Sequence, residues 1–384
     1  MTTNPGGQLT PQEVIGRDPF IAQMWRILQK RSAIITAERR MGKTQVVKKM
    51  TAEAPEGFLA VYHDLEHVST PLEFAELTFH DVERHLGRGS RLANKTRTFL
   101  AHLQGAELGG LVKFPQAVST QWKALLTHTI EDLASHPEQL VFFWDEVPLM
   151  LHKIARHSGE DEAMELLDLL RSLRATHPRL RMVFTGSIGL HHVLTRLRKD
   201  GYANRPTNDM SVIELLPLAV PDACHLAKEL LLGEKVPVTE IEAAAAEAAR
   251  AADCVPYFIH QLIDALVLEP AKPVQALLDD RLLSSSDPWD ICHFIERVPR
   301  YYGGQSAAAL AVLDAVAATS RPLGYEQIEN RVRTVLPALD EEPLRELLVL
   351  LQRDHYLKLD TKGRYDFQLS LVRRAWKLQR SGKA

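Results

Sequence analysis

Four residues in two short stretches hold the chemistry of this sequence. Lys43 and Thr44 end the stretch Thr36-Ala37-Glu38-Arg39-Arg40-Met41-Gly42-Lys43-Thr44, and Asp145 and Glu146 end Leu140-Val141-Phe142-Phe143-Trp144-Asp145-Glu146. The first stretch follows the apolar run Ala33-Ile34-Ile35 and leads into a helix-like segment that starts at Gln45. Strand, turn, Gly-Lys-Thr, helix is the setting in which Walker A spacing builds a phosphate-binding loop. Backbone N–H groups of such a loop point inward, and the helix N-terminus adds positive potential. Lys43 would reach the β- and γ-phosphates of a nucleotide, and the Thr44 hydroxyl would ligate Mg²⁺. The motif asks for Gly at position 37, where this chain has Ala37. Alanine costs about 1 kcal/mol if the loop needs a positive φ there. Gly42, where backbone and phosphate come closest, is present.

The second stretch is an apolar run ending in two acids, the pattern of a buried central strand in a parallel sheet. Ligands of open α/β sheets bind beyond the carboxyl ends of strands, where Asp145 and Glu146 fall. Asp145 is placed to hold the Mg²⁺ shell (the Walker B role), and Glu146 to orient or deprotonate an attacking water. A third strand-like run over 180–187 ends in small polar residues. A hydroxyl there touches the γ-phosphate or the attacking water in an NTPase of this type; Ser187 is the candidate, with Thr185 in reserve.

Composition narrows the field. The 384 residues are 45% hydrophobic and 25% charged with a net charge of −3, which provides for two or three cores and no global basic field. No apolar stretch is long enough to span a membrane. The first residues are polar, with Pro5-Gly6-Gly7 and no apolar signal core, which argues against secretion. Cys224, Cys254 and Cys292 lack metal-binding or paired spacing and fit a reducing cytoplasm.

The elements that must position the four residues alternate between strand and helix. Residues 18–30 read as an amphipathic helix through Phe20, Ile21, Met24, Trp25 and Leu28; 58–64 as a strand; 70–86 as a helix opening on a Thr70-Pro71-Leu72-Glu73 cap. The Gly-rich segment 105–114 reads as a hairpin or insertion. Helix over 118–135 feeds the acidic strand, and 149–176 reads as a long amphipathic helical region. This alternation implies a three-layer α/β fold with a parallel sheet. Helices at 222–232 and 240–253 begin a helical lid that runs to about residue 300. Helices at 308–318, 325–333 and 342–354, a hairpin turning at Lys362-Gly363, and a last helix over 371–379 read as a winged helix-turn-helix. The expected division is a flexible N-terminus (1–13), a P-loop ATPase core (14–215), a helical lid (216–302) and a winged-helix domain (303–384).

Together these residues resemble the archaeal-type P-loop ATPases, on the branch of AAA+ folds next to the STAND signalling NTPases, over roughly residues 12–380. Ile15-Gly16-Arg17-Asp18 is similar to the family's G-R-[DE] box flanking the adenine. Arg39-Arg40-Met41-Gly42-Lys43-Thr44 resembles its R-R-x-G-K-T form of Walker A, and Thr185-Gly186-Ser187-Ile188-Gly189 its G-S-x-G stretch. Val255-Pro256 stands where the family closes its lid with G-x-P, with Cys254 in place of the Gly. The resemblance implies ATP and Mg²⁺ as ligands, and contacts to nucleotide from residues 15–17, 37, 39–45 and Pro256. It implies a slowly hydrolysing switch, in which ATP closes the lid and winged helix on the core to control a partner; some relatives sit in defence, toxin or mobile-element loci. An arginine finger from a neighbouring copy is expected of such sites, with Arg181, Arg196 and Arg198 as candidates. Two other readings stay open: a DNA-binding regulator or loader contacting phosphates through Lys362, Arg364, Arg373, Arg374, Lys377 and Arg380, and a non-catalytic nucleotide-binding scaffold. The presumed recognition helix opens on Asp340-Glu341-Glu342, acidic where phosphates would approach, which favours protein interaction or autoinhibitory packing over DNA; a protein partner or self-oligomer is expected.

Overall fold

The structure, a computed structural model, describes residues 1–86, 121–186, 189–198 and 204–380. The chain forms two compact units: Thr10–Thr36 with Lys43–Leu215, and Met1–Leu9 with Ala37–Gly42 and Leu216–Ala384.

The first of these is built on a five-stranded parallel sheet of β1 (Ala33–Thr36), β2 (Phe58–Asp64), β3 (Gln139–Asp145), β4 (Leu180–Phe184) and β5 (Ser211–Glu214), in the order β2-β3-β4-β1-β5. Strand β3 is buried on both faces after its first residue, which is why it reads as an unbroken apolar run rather than an alternation. Its side chains go alternately to two helical layers. Trp144 stacks on Phe142 at 4.8 Å and meets Phe74 of the helix Pro71–Leu86 edge-on at 4.9 Å. Phe143 faces the other way, toward Trp25 of the helix Asp18–Leu28 at 5.9 Å. The cap read at Thr70 is made: the Glu73 N–H donates to Thr70 Oγ1 at 3.2 Å, and Glu73 Oε2 accepts from the Thr70 N–H at 3.2 Å.

Two local readings need correction. The region 149–176 is two helices, Val147–His157 and Glu160–Thr176, broken at Gly159, whose φ of +103° no helix contains. Apolar periodicity continues across the break, so the pattern alone hides it. Strand β5 was not expected: Ser211-Val212-Ile213-Glu214 carries no apolar run, and as an edge strand it leaves Val212 65% exposed. The segment 105–114 lies outside the described residues.

The other unit contains the helices Val220–Gly233, Ile241–Ala251, Pro256–Leu268, Val274–Leu283 and His293–Tyr302, then Ser306–Ala317, Tyr325–Val335, Glu341–Arg353 and Ser370–Arg380. The last four surround a small antiparallel sheet of β6 (Leu323–Gly324), β7 (Leu357–Leu359) and β8 (Arg364–Phe367), ordered β6-β8-β7. Asp360 makes the β7–β8 turn by accepting the Lys362 and Arg364 N–H groups at 2.8 and 2.9 Å, with Gly363 at φ +72°. Trp376 fills the centre of this part and donates its indole N–H to Asp314 at 2.8 Å. The first residues are hydrogen-bonded: the Thr3 N–H reaches Glu234 at 2.6 Å and the Asn4 N–H reaches His260 Nδ1 at 3.1 Å.

No helix among the described residues is long and apolar enough to cross a membrane.

Candidate nucleotide site

Strand order decides which residues can meet. Strand β4 lies between β1 and β3, so the carboxyl end of β4 sits between the start of the Gly-Lys-Thr helix and the Walker B acid. Thr185, the residue after β4, donates its N–H to Trp144 O at 3.0 Å, and Val147 returns its N–H to Thr185 O at 3.1 Å. This lattice of main-chain bonds fixes Thr185 beside Asp145.

Lys43 is the first residue of the helix Lys43–Ala52 and is buried; Thr44 and Gln45 follow on its first turn. Thr44 Oγ1 donates to Asp145 Oδ2 at 2.5 Å. Thr185 Oγ1 donates to the other oxygen, Oδ1, which also accepts the Glu146 N–H at 3.0 Å. Asp145 is 3% exposed and Thr185 2%, so both carboxylate oxygens are held in fixed directions away from solvent. Hydroxyl and carboxylate oxygens this close form the hard, oxygen-only donor set that Mg²⁺ takes.

Glu146 leaves β3 in the left-handed region (φ +57°, ψ +30°) and caps the helix Val147–His157. A non-glycine residue pays roughly 1–2 kcal/mol for that backbone, and the turn aims its side chain off the strand line. Gly186 explains how the turn fits. A Cβ at Gly186 would lie 2.5 Å from Cδ of Pro148 and 3.6 Å from Cα of Glu146, so only glycine allows the approach.

The G-R-[DE] segment sits in the same unit. Gly16 has φ +72°, Arg17 is buried and caps the helix Asp18–Leu28, and Ile15 is half-buried. Lys49 ties the Gly-Lys-Thr helix to this segment through Val14 O at 3.4 Å and Asp18 at 3.0 Å.

The remaining loop residues, Ala37–Gly42, belong to the other unit, as does Pro256. Ala37 does not take a positive φ; the left-handed residues of the loop are Arg40 (+71°) and Gly42 (+86°). The expected penalty for lacking Gly at 37 therefore does not arise. Glu38 and Arg297 form a buried two-pronged ion pair at 2.6 and 2.7 Å. Arg39 lies 3.3 Å from His293 Nδ1 and 3.8 Å from Asp290, and Arg40 pairs with Asp290 at 2.8 Å while stacking over Tyr257 at 4.3 Å. Met41 is buried. Pro256 begins the helix Pro256–Leu268, where its missing N–H costs nothing. Cys254, two residues before, has φ +57°, the geometry a Gly supplies freely.

Ser187 lies outside the described residues, as do the side chains of Arg196 and Arg198. Arg181 is at the amino end of β4, away from Asp145, and spends its guanidinium on the carbonyls of Leu28 (2.9 Å), Gln29 (3.1 Å), Pro178 (2.8 Å) and Leu180 (2.8 Å).

Residue types alone did not single out Tyr62, Glu38, His293 or Arg297. Burial raises the Tyr62 hydroxyl pKa above the usual tyrosine range, and the charges of Asp145, Asp64 and Glu146 raise it further. Burial likewise pushes His293 down to about 4, aided by Arg39 and Arg297. Arg297 has a detectable signal: it falls on the buried stripe Phe294, Arg297, Val298, Tyr302, where an apolar residue is expected.

No family profile matches the chain, and no curated protein is similar to it. Solved structures are. The chain is similar to the Walker-type ATPase PAby2304 of Pyrococcus abyssi with a TM-score of 0.65 at 15% identity, over 95% of this chain and 97% of that one. It is also similar to the Aeropyrum pernix ORC2 protein in its ADPNP–ADP complexes, with a TM-score of 0.53 at 10% identity over 97% of each chain. At these identities the likeness gives the fold alone: α/β with a parallel sheet.

Proposed function

We propose that the protein binds Mg²⁺–ATP and hydrolyses it slowly as a molecular switch, with ATP closing the helical lid and the C-terminal winged helix on the core to control a partner. The observation that carries this is the meeting of Thr44, Asp145 and Thr185 at the carboxyl ends of adjacent strands, immediately after Gly42-Lys43. Lys43 holds the β- and γ-phosphates, and residues 15–17, 37, 39–42, Gln45 and Pro256 complete the nucleotide contacts. Thr44 and Asp145 hold Mg²⁺, which neutralises charge developing on the phosphate oxygens. Glu146 takes the proton of the attacking water, and Ser187 or Thr185 senses the γ-phosphate.

The partner we propose is a protein or a second copy of this chain in the cytoplasm. DNA contact is less favoured because the arginines that would make it are already matched with carboxylates. Arg364 pairs with Asp360 at 2.8 Å, Arg373 with Asp366 at 3.1 Å, Arg374 with Asp279 at 2.5 Å and Arg380 with Asp314 at 2.6 Å. Phosphate affinity comes from basic groups free to release counterions.

The test is ATP binding and turnover by the full chain with Mg²⁺, beside Lys43→Ala and Glu146→Gln. Binding lost with Lys43→Ala, and retained without turnover in Glu146→Gln, is the expected pair of results. A parent chain that binds no ATP overturns the nucleotide reading; a Glu146→Gln variant that turns over like the parent removes Glu146 from its role.

A further inference from the structure

We propose that Arg297 is a positioning residue for the phosphate-binding loop, holding it through Glu38 although it touches no nucleotide; this rests on the nucleotide-binding reading above. The Glu38 carboxylate has two tasks. Its Oε1 accepts the N–H of the next loop residue, Arg39, at 2.7 Å, and the same oxygen accepts Arg297 Nη1 at 2.6 Å, while Oε2 accepts Nη2 at 2.7 Å. The turn that leads to left-handed Arg40, Met41, Gly42 and then Lys43 therefore starts from a carboxylate whose direction Arg297 sets.

Arg297 is itself fixed on its other edges. Its Nε donates to the Tyr356 hydroxyl at 2.7 Å and its Nη2 to Asp354 O at 3.2 Å. The Tyr356 hydroxyl donates to Phe294 O at 2.6 Å, and the Tyr302 hydroxyl donates to Asp354 Oδ2 at 2.5 Å. Guanidinium carbon and ring centroid are 4.3 Å apart at Tyr356 and 4.8 Å at Phe294. A planar fork with several bonded edges and two aromatic neighbours has one available orientation. Lysine, a single point charge, cannot reproduce it.

The consequence is reciprocal. Asp354 and Tyr356 stand at the entrance to β7, so a change in that segment reaches the loop through one guanidinium. A ligand that orders the loop must favour one arrangement of Arg297 and Tyr356 by the same factor.

Removing only one member of a buried ion pair strands the other's charge and destabilises the fold by itself. The decisive variant therefore replaces both, Glu38→Leu with Arg297→Met, measured beside Arg297→Lys and the parent. Thermal midpoint and ATP affinity are read on the full chain, the affinity well below the midpoint. The expected result is a double variant that melts near the parent yet binds ATP at least about tenfold more weakly, within the range that coupled sites show. Arg297→Lys should weaken ATP binding less, with kcat at saturating ATP nearer the parent's than kcat/KM. A folded double variant with parental ATP affinity overturns the proposal and leaves the pair a structural one. If the double variant does not fold, Arg297→Lys decides: parental affinity overturns the proposal, and weaker affinity at an unchanged midpoint supports it. A parent that binds no ATP fails the nucleotide reading, and this inference with it; a parent that binds while all variants bind alike fails this inference alone.

Discussion

Replacing Thr185 by valine removes one hydroxyl and changes almost no volume. The lost bond is buried and runs to the Asp145 carboxyl group, and hydrogen bonds to charged groups are worth about 1.5–3 kcal/mol. Asp145 Oδ1 keeps a second donor, the Glu146 N–H at 3.0 Å, so the loss belongs in the lower half of that range, about 1.5–2 kcal/mol. For a unit of this size that lowers the thermal midpoint by about 3–8 °C. The kinetic effect is larger in kind. With one of its two bonds gone, Oδ1 is held by the Glu146 N–H alone and the carboxylate is less tightly oriented on its bond to Thr44; a catalytic group displaced by about 1 Å loses up to ~100-fold in rate. ATP turnover should then fall about 10- to 100-fold with little change in KM, because the groups proposed to bind phosphate are untouched. Steady-state ATP hydrolysis and thermal unfolding of Thr185→Val and Thr185→Ser test both numbers. Serine keeps the hydroxyl and should recover most of the turnover. A valine variant with parental turnover would show that Asp145 does not depend on Thr185. A serine variant as impaired as the valine one would show that the hydroxyl alone does not carry the effect, since serine keeps it and loses only the methyl.

Three further outcomes are expected. Cys254→Gly relieves roughly 1–2 kcal/mol of left-handed strain against roughly 0.5–1 kcal/mol of added chain entropy, a net gain of about 0–1.5 kcal/mol that should hold or raise the midpoint; a lower midpoint would refute this. Gly186→Ala drives a methyl into the Pro148 ring and should cost about 1–3 kcal/mol and depress turnover by shifting Glu146; a parental kcat would show that the turn yields without consequence. His293, held near 4 in the fold, stays neutral between about pH 4 and its ordinary value of 6.5 while the unfolded chain takes up a proton. Its stabilising contribution is complete above pH 6.5 and is lost as pH falls toward 4, so the parent's urea midpoint should drop more steeply than that of His293→Gln over this window. Parallel curves would show that burial and the Arg39 and Arg297 charges leave its titration unchanged.

What was legible in the sequence was what is contiguous. The Gly-Lys-Thr turn, the acidic strand end and the order of strands and helices each sit within one short window, and the strands β1 to β4 follow it. Two of the misses at element level have local causes. Gly159 interrupts a helix without interrupting its apolar period, and β5 is an edge strand whose pairing, not its composition, makes it a strand. Tyr62 was missed because its relation to Asp145 exists only across the β2–β3 pairing, where Asp64 is registered against Asp145.

The phosphate loop shows the same limit more sharply. Read by itself, Ala37 looks like a defect in a motif that wants glycine. In the fold the left-handed backbone lies at Arg40 and Gly42, so the strain alanine was expected to bear is carried three residues later by an arginine. That arginine is held there by Asp290 at 2.8 Å and by the face of Tyr257 at 4.3 Å, both more than 200 residues away in the chain. A left-handed arginine costs about 1–2 kcal/mol, an amount that a half-exposed ion pair and a cation–π contact together can offset. Glu38 is held in the same way by Arg297. The loop's shape is thus specified partly by residues outside its own motif, and a motif scan that scores position 37 alone misjudges it. Exchanging Ala37 for Gly should therefore change ATP affinity little, whereas Asp290→Asn, which weakens the hold on Arg40, should change it more; the reverse order of effects would return the loop's geometry to position 37.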